Sequence, residues 1–176
     1  MCVTLNNNWG YASFDRDYKT PKDVIRALVN CVSKGGNLLL NVGPDAKGRI
    51  PDESLEVLRG VGVWMAKNSD SIYGCGPADL PKPEWGRYTQ KGDRLYAHIM
   101  EQPIGQVCLV NVKDKLQTAR LLRDGAEVFI SDFWLGERSF VGKNDVFINF
   151  SKPLQYTFRL PDEIDTVVEL TLKAKP

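Results

Sequence analysis

GGNLLLNVGPDAKGRIP, residues 35–51, decides how the first part of the chain folds. Two glycines open it. The apolar run Leu38–Leu40 follows, and a polar segment carrying Gly43, Pro44 and Gly48 leads to Pro51. A short apolar run bounded by Gly and Pro predicts a buried strand whose carboxyl end passes into a shaped loop. Upstream, Thr20, Pro21 and Asp23 are a helix start: a hydroxyl cap, proline in the first turn and an acid at the positive end of the dipole. Val24, Ile25, Leu28, Val29 and Val32 recur at helical spacing until Gly35-Gly36 stops the helix. Downstream, Pro51, Asp52 and Glu53 open a second helix with Leu55, Leu58, Val61 and Met65 along one side. MCVTL, residues 1–5, is a first short strand. Strand, helix, strand, helix is the order of parallel α/β units.

After Tyr73 the pattern changes. Gly76, Pro77, Pro81 and Pro83 make a linker poor in helix formers. Six short apolar or alternating runs follow: RLYAHIM (94–100), QVCLVNV (106–112), QTARLL (117–122), EVFIS (127–131), DVFINF (145–150) and TVVELTLK (166–173). Turn signals at 91–93, 123–125 and 142–144 separate several of them. Short strands at this spacing predict an antiparallel β-sandwich. The expected fold is therefore α/β plus all-β, with a boundary near residue 76: residues 1–75 as two βα units and residues 76–176 as the sandwich. Two βα units cannot close a parallel sheet on themselves, since a complete (β/α) barrel takes about 250 residues. The first 75 residues read as a barrel remnant, the last two βα units of something larger.

Composition narrows the function classes. The chain has 176 residues, with 23 Lys and Arg against 22 Asp and Glu, a net charge of +1. That balance gives no electrostatic case for a nucleic-acid or membrane-surface partner. No apolar stretch approaches the roughly 20 residues of a membrane span. The four cysteines form no CxxC pair and His98 is the one histidine, so no metal site is expected. Nothing in the sequence assigns a compartment.

Four segments in order resemble the α-L-fucosidases of glycoside hydrolase family 29: MCVTLNNNWGY (1–11), GGNLLLNVGPDAKGRIP (35–51), WMAKNSDSIYG (64–74) and YTQKGDRLYAHIM (88–100). The resemblance implies a catalytic (β/α) barrel followed by a sandwich, retaining hydrolysis of terminal α-L-fucosyl linkages, a fucosylated glycan or α-L-fucoside as ligand, and no cofactor. Retaining glycosidases use two carboxyl groups about 5–5.5 Å apart. In the family these carboxylates, and the histidines that bind the sugar, precede the WGY motif. The resemblance thus implies that no catalytic residue lies in this chain, which is expected to be inactive alone or dependent on the missing N-terminal barrel part.

The candidate substrate-binding residues are Trp9, Tyr11 and Asn41. Fucose is a 6-deoxy sugar, and the resemblance places an aromatic residue at the position of Trp9 against its methyl group. Tyr11 stands between a pocket role and packing of the loop junction. Asn41 ends the second strand on the same face, where its amide either meets a ligand or satisfies loop backbone. Asp15, Asp17 and Asp45 are weighed as members of a new carboxylate pair and set aside, with Asp15 and Asp17 read as a solvated loop beside Arg16 and Lys19; His98 is read as a half-exposed strand residue. Trp85, Tyr88, Phe133 and Trp134 are assigned to packing rather than to a sugar-stacking face. The alternative function is a non-catalytic carbohydrate-binding or structural β-sandwich module that self-associates as a homo-oligomer, burying the open edge of its half-sheet.

Overall fold

The computed structural model describes residues 1–134, 137–151 and 158–173. Strand β1 (Cys2–Thr4) leads through a long loop to helix α1 (Pro21–Val32), then β2 (Leu39–Asn41), then α2 (Asp52–Asn68) and a 3-10 turn (Ser69–Ser71). β1 and β2 pair in parallel, with Cys2 opposite Leu39 and Thr4 opposite Asn41. α1 starts as its sequence dictates: Thr20 Oγ1 accepts from the Asp23 amide at 3.2 Å, and the Asp23 carboxylate accepts from the Thr20 amide at 2.8 Å. This reciprocal capping box satisfies two amides that the helix cannot pair internally. The second helix crosses close by. A Cβ on Gly60 would stand 2.5 Å from Pro21 Cγ, so α2 approaches the start of α1 only because residue 60 is glycine.

The rest of the described chain is antiparallel. β3 (Gly76–Pro77), β4 (Gly86–Lys91), β5 (Arg94–Ile99), β7 (Leu116–Leu121) and β10 (Thr166–Leu172) form one sheet in the order β3-β4-β5-β10-β7. β6 (Val107–Leu109), β8 (Phe129–Ser131) and β9 (Val146–Asn149) form a second, in the order β6-β9-β8. The two share one core: Leu95, Ala97, Ile99, Val168 and Leu170 of the larger sheet meet Val107, Leu109, Val146 and Ile148 of the smaller. No helix among the described residues is long and apolar enough to cross a membrane.

Period-two alternation sends the other side chains of the larger sheet the opposite way. There Tyr96 and Val167 pack with Ile25, Val29 and Val32 of α1 and Trp64 of α2. The larger sheet is therefore covered on both faces. This overturns the expectation of a half-exposed His98, which is 0% exposed. Its Nδ1 lies 2.7 Å from Asp165 Oδ2 and its Nε2 lies 3.0 Å from Thr89 Oγ1, which itself donates to the Ser71 carbonyl at 2.7 Å. The network joins β4, β5, the 3-10 turn and the entry to β10. Trp64 Nε1 adds a bond from α2 to the Asp165 carbonyl at 3.2 Å.

Two further expectations change. Leu38–Leu40 is not a buried strand, for Leu39 is 53% exposed. Leu40 and Val42 pack toward Leu5, Val24 and Val57 under the helices, while Leu39 points to the side that no helix covers. On α2 the most buried line runs through Ser54, Val57, Trp64 and Asn68, with Leu58, Val61 and Met65 flanking it. Trp64 draws the face round because its large ring fills the space between helix and sheet. All four cysteines are free thiols.

Candidate functional site

Because β1 and β2 run in parallel, the loops leaving their carboxyl ends emerge from one edge. Ligands of open α/β sheets bind at such an edge. The first loop carries Asn6 to Lys19 and the second Val42 to Pro51. Backbone bonds from the Leu5 amide to the Asn41 carbonyl, 3.2 Å, and from the Lys19 amide to the Leu5 carbonyl, 2.7 Å, close the base of the first loop.

Of the residues singled out in the sequence, Trp9 and Tyr11 sit on that loop with 55% and 51% of their surfaces exposed, beside Phe14 at 82%. Asn41 is turned inward to the loop. Its Nδ2 donates to the Trp9 carbonyl at 2.5 Å and to Thr4 Oγ1 at 3.1 Å. Thr4 Oγ1 also lies 3.3 Å from the Asn8 carbonyl. The amide of Asn41 thus fixes the backbone at Trp9. Gly43 completes the contact from the other side: a Cβ there would stand 2.7 Å from Gly10 C and Tyr11 N, so the two loops touch backbone to backbone.

Asp15 is 7% exposed, against the expectation of a solvated loop acid. Its Oδ2 accepts from the Asn7 amide at 2.8 Å and Asn8 Nδ2 at 2.7 Å, and its Oδ1 from the Asp17 amide at 3.2 Å and Asn7 Nδ2 at 3.3 Å. Burial alone raises its pKa, but these donors outweigh burial and hold the carboxyl below the usual carboxylate range. Asp45 serves its own turn. It accepts from the backbone amides of Arg49 and Lys47 and from the Arg49 guanidinium, and the Arg49 amide leads in lowering its pKa. Glu53, at the start of α2, pairs with Arg16 at 2.5 Å and is likewise lowered, chiefly by its own backbone amide. These three carboxylates are held as anions, whereas a general acid needs a raised pKa. No cluster of three potential metal ligands occurs among the described residues.

Sequence reasoning placed Trp9, Tyr11 and Asn41 at one edge, and the structure brings all three there. It gave Thr4 no role, read Asp15 as solvated, and took Gly43 as shaping its own loop without placing it against Gly10. The signal for Asp15 was present in the run Asn6-Asn7-Asn8, whose amides and side chains need an acceptor nearby.

A family model described as Alpha-L-fucosidase matches residues 1–70. Over 98% of this chain, the structure is similar to α-L-fucosidase isoenzyme 1 from Paenibacillus thiaminolyticus, with 56% identity, a TM-score of 0.90 and 39% of that chain covered. The chain belongs to the α-L-fucosidase family. Tissue α-L-fucosidase of Homo sapiens is 32% identical over 128 residues, 68% of this chain and 26% of that protein. A family 29 fucosidase of Bacteroides thetaiotaomicron, trapped as a covalent intermediate with 2-fluoro-fucosyl fluoride, is 28% identical with a TM-score of 0.80; 98% of this chain and 38% of that one are covered. The chain spans about a quarter of the length of the curated relatives it matches.

Proposed function

We propose that this chain forms one wall of the fucose site of a retaining α-L-fucosidase, with the nucleophile and the acid/base supplied by barrel strands outside it. Residues 1–75 are the last two βα units of the (β/α) barrel, and residues 76–176 are the β-sandwich that packs on them. Trp9 lies against the 6-methyl group of a terminal α-L-fucosyl unit, Tyr11 stands beside it, and Asn41 fixes the backbone from which both project. The observation that carries this reading is the pair of half-exposed aromatics on a loop pinned to the carboxyl edge of two parallel strands. The covalent intermediate of the Bacteroides relative supports retention as the chemistry of the family. The local carboxylates support a binding role, since Asp15, Asp45 and Glu53 are each engaged by donors of the chain itself.

Calorimetric titration with L-fucose tests the binding wall. Heat of binding that is lost in Trp9→Ala, while the variant keeps its melting temperature, is the expected result. Equal affinity in both proteins overturns it. The exposed Leu39 and Phe14 favour a second feature, burial of this edge against the remaining barrel strands or a second copy of the chain.

A further inference from the structure

We infer that Asp15 is a positioning residue for the fucose site, a buried carboxylate clamp that sets the pose of Trp9. This deepens the binding role proposed above and rests on it. A carboxylate offers about four lone-pair sites. Here four donors fill them: the Asn7 amide, Asn7 Nδ2, Asn8 Nδ2 and the Asp17 amide. Asp15 therefore has no lone pair left for a substrate, and its effect passes through the loop. Asn7 and Asn8 immediately precede Trp9. Its own carbonyl is held by Asn41, and Gly10 after it is pressed against Gly43. Three anchors thus bracket the indole: Asp15 before it, Asn41 at it and Gly43 beyond it. The side chain is left half-exposed on a backbone held by these contacts. A wall ordered before the sugar arrives avoids the entropy cost of ordering it on binding.

The charged groups around the clamp are few. Arg16 is engaged by Glu53, and Lys19 Nζ reaches the Asn6 carbonyl at 3.4 Å. Asp17 contributes its amide, and Tyr18 packs toward Leu5 and Val24. The clamp acts as an anion. It holds at neutral pH and releases only when acid protonates Asp15 at a value below the usual carboxylate range.

The test uses the whole chain labelled with 5-fluorotryptophan, in which Trp9, Trp64, Trp85 and Trp134 give four fluorine resonances and Trp9→Phe assigns the first. Asp15→Asn removes one acceptor oxygen whichever way its amide turns. It is expected to move and narrow the Trp9 resonance alone, with the other three unchanged. Asn8→Ala, which removes one of the four donors and leaves the core intact, moves Trp9 in the same direction by less. Acidifying the wild type moves Trp9 before the other three. An unmoved Trp9 in Asp15→Asn overturns the clamp. So does a Trp9 that shifts only together with the other three, in the variants and on acidification. L-Fucose added to the same samples separates the two ideas. A Trp9 resonance that responds in the wild type, with affinity about tenfold weaker in Asp15→Asn, supports both. Clamp shifts without any response to L-fucose remove the fucose site, and with it the positioning role built on it.

Discussion

Trp9 and His98 are opposite cases of one question, whether a side chain serves the fold or the surface. Trp9 spends its backbone on the fold and its ring on solvent, so Trp9→Ala should cost little stability, within about 0.5 kcal/mol, while removing fucose affinity; thermal melting and titration calorimetry read the two separately. His98 gives everything to the fold. His98→Ala strips Asp165 Oδ2 of its partner beside Oδ1, which already has none among the described residues. We expect a loss of about 3 kcal/mol, read as a lower urea midpoint at unchanged slope. The place of Trp9 and Tyr11 at the carboxyl edge was legible because they follow an apolar strand; a sugar-facing role for Trp9 came from the family resemblance, since large aromatics by themselves read as packing. The burial of His98 was not legible, because alternation along RLYAHIM says which residues share a face and not what covers it. That cover is α1 and α2, more than 20 residues away in sequence.

At the scale of elements, local chemistry fixes most boundaries. Thr20, Pro21 and Asp23 start α1 where the sequence places it, and Gly35, with φ of 74°, turns the chain out of the helix in a conformation that favours glycine. Thr20→Ala should cost about 1 kcal/mol, measured by chemical denaturation. Gly43→Ala is a sharper case, because its Cβ would meet backbone rather than a movable side chain. We expect about 1–3 kcal/mol of destabilisation and altered environments for Trp9 and Tyr11, seen in their resonances. The loop and cap carboxylates give a pH signature. Asp23, lowered first by the Thr20 side-chain bond, and Asp15, Asp45 and Glu53 all titrate below their unfolded values. Their stabilisation is therefore fully present above the unfolded carboxylate range near pH 4. It is lost as pH falls through the folded values. Melting temperature should stay level from pH 7 to about 5 on this account and drop below 4. The burial of Asp15 escaped the sequence reading because three of its four donor bonds come from Asn7 and Asn8, eight and seven residues back, and the asparagine run meets its acceptor only when the loop closes.

For the whole molecule, the uneven cover of the two sheet systems is the informative property. The five-stranded sheet is buried on both faces, whereas the two-stranded parallel sheet and its first loop leave Leu39, Trp9, Tyr11 and Phe14 exposed. A surface of this kind associates. In sedimentation velocity the chain should run above its 19.8 kDa monomer mass as concentration rises, and Phe14→Ser with Leu39→Ser should shift it back. The change from helices to strands after Ser71 was readable because strand and helix periodicities differ. The stacking of α1 and α2 on the larger sheet was not, since it depends on how distant surfaces fit. The same two-stranded parallel sheet carries the division of labour proposed for the active site, with the sugar wall in this chain and the reacting carboxylates outside it. Turnover of an aryl α-L-fucoside by the purified chain tests that division most directly. No release of the aryl group above the buffer rate is the expected result, and hydrolysis at a rate comparable to an intact α-L-fucosidase would contradict it.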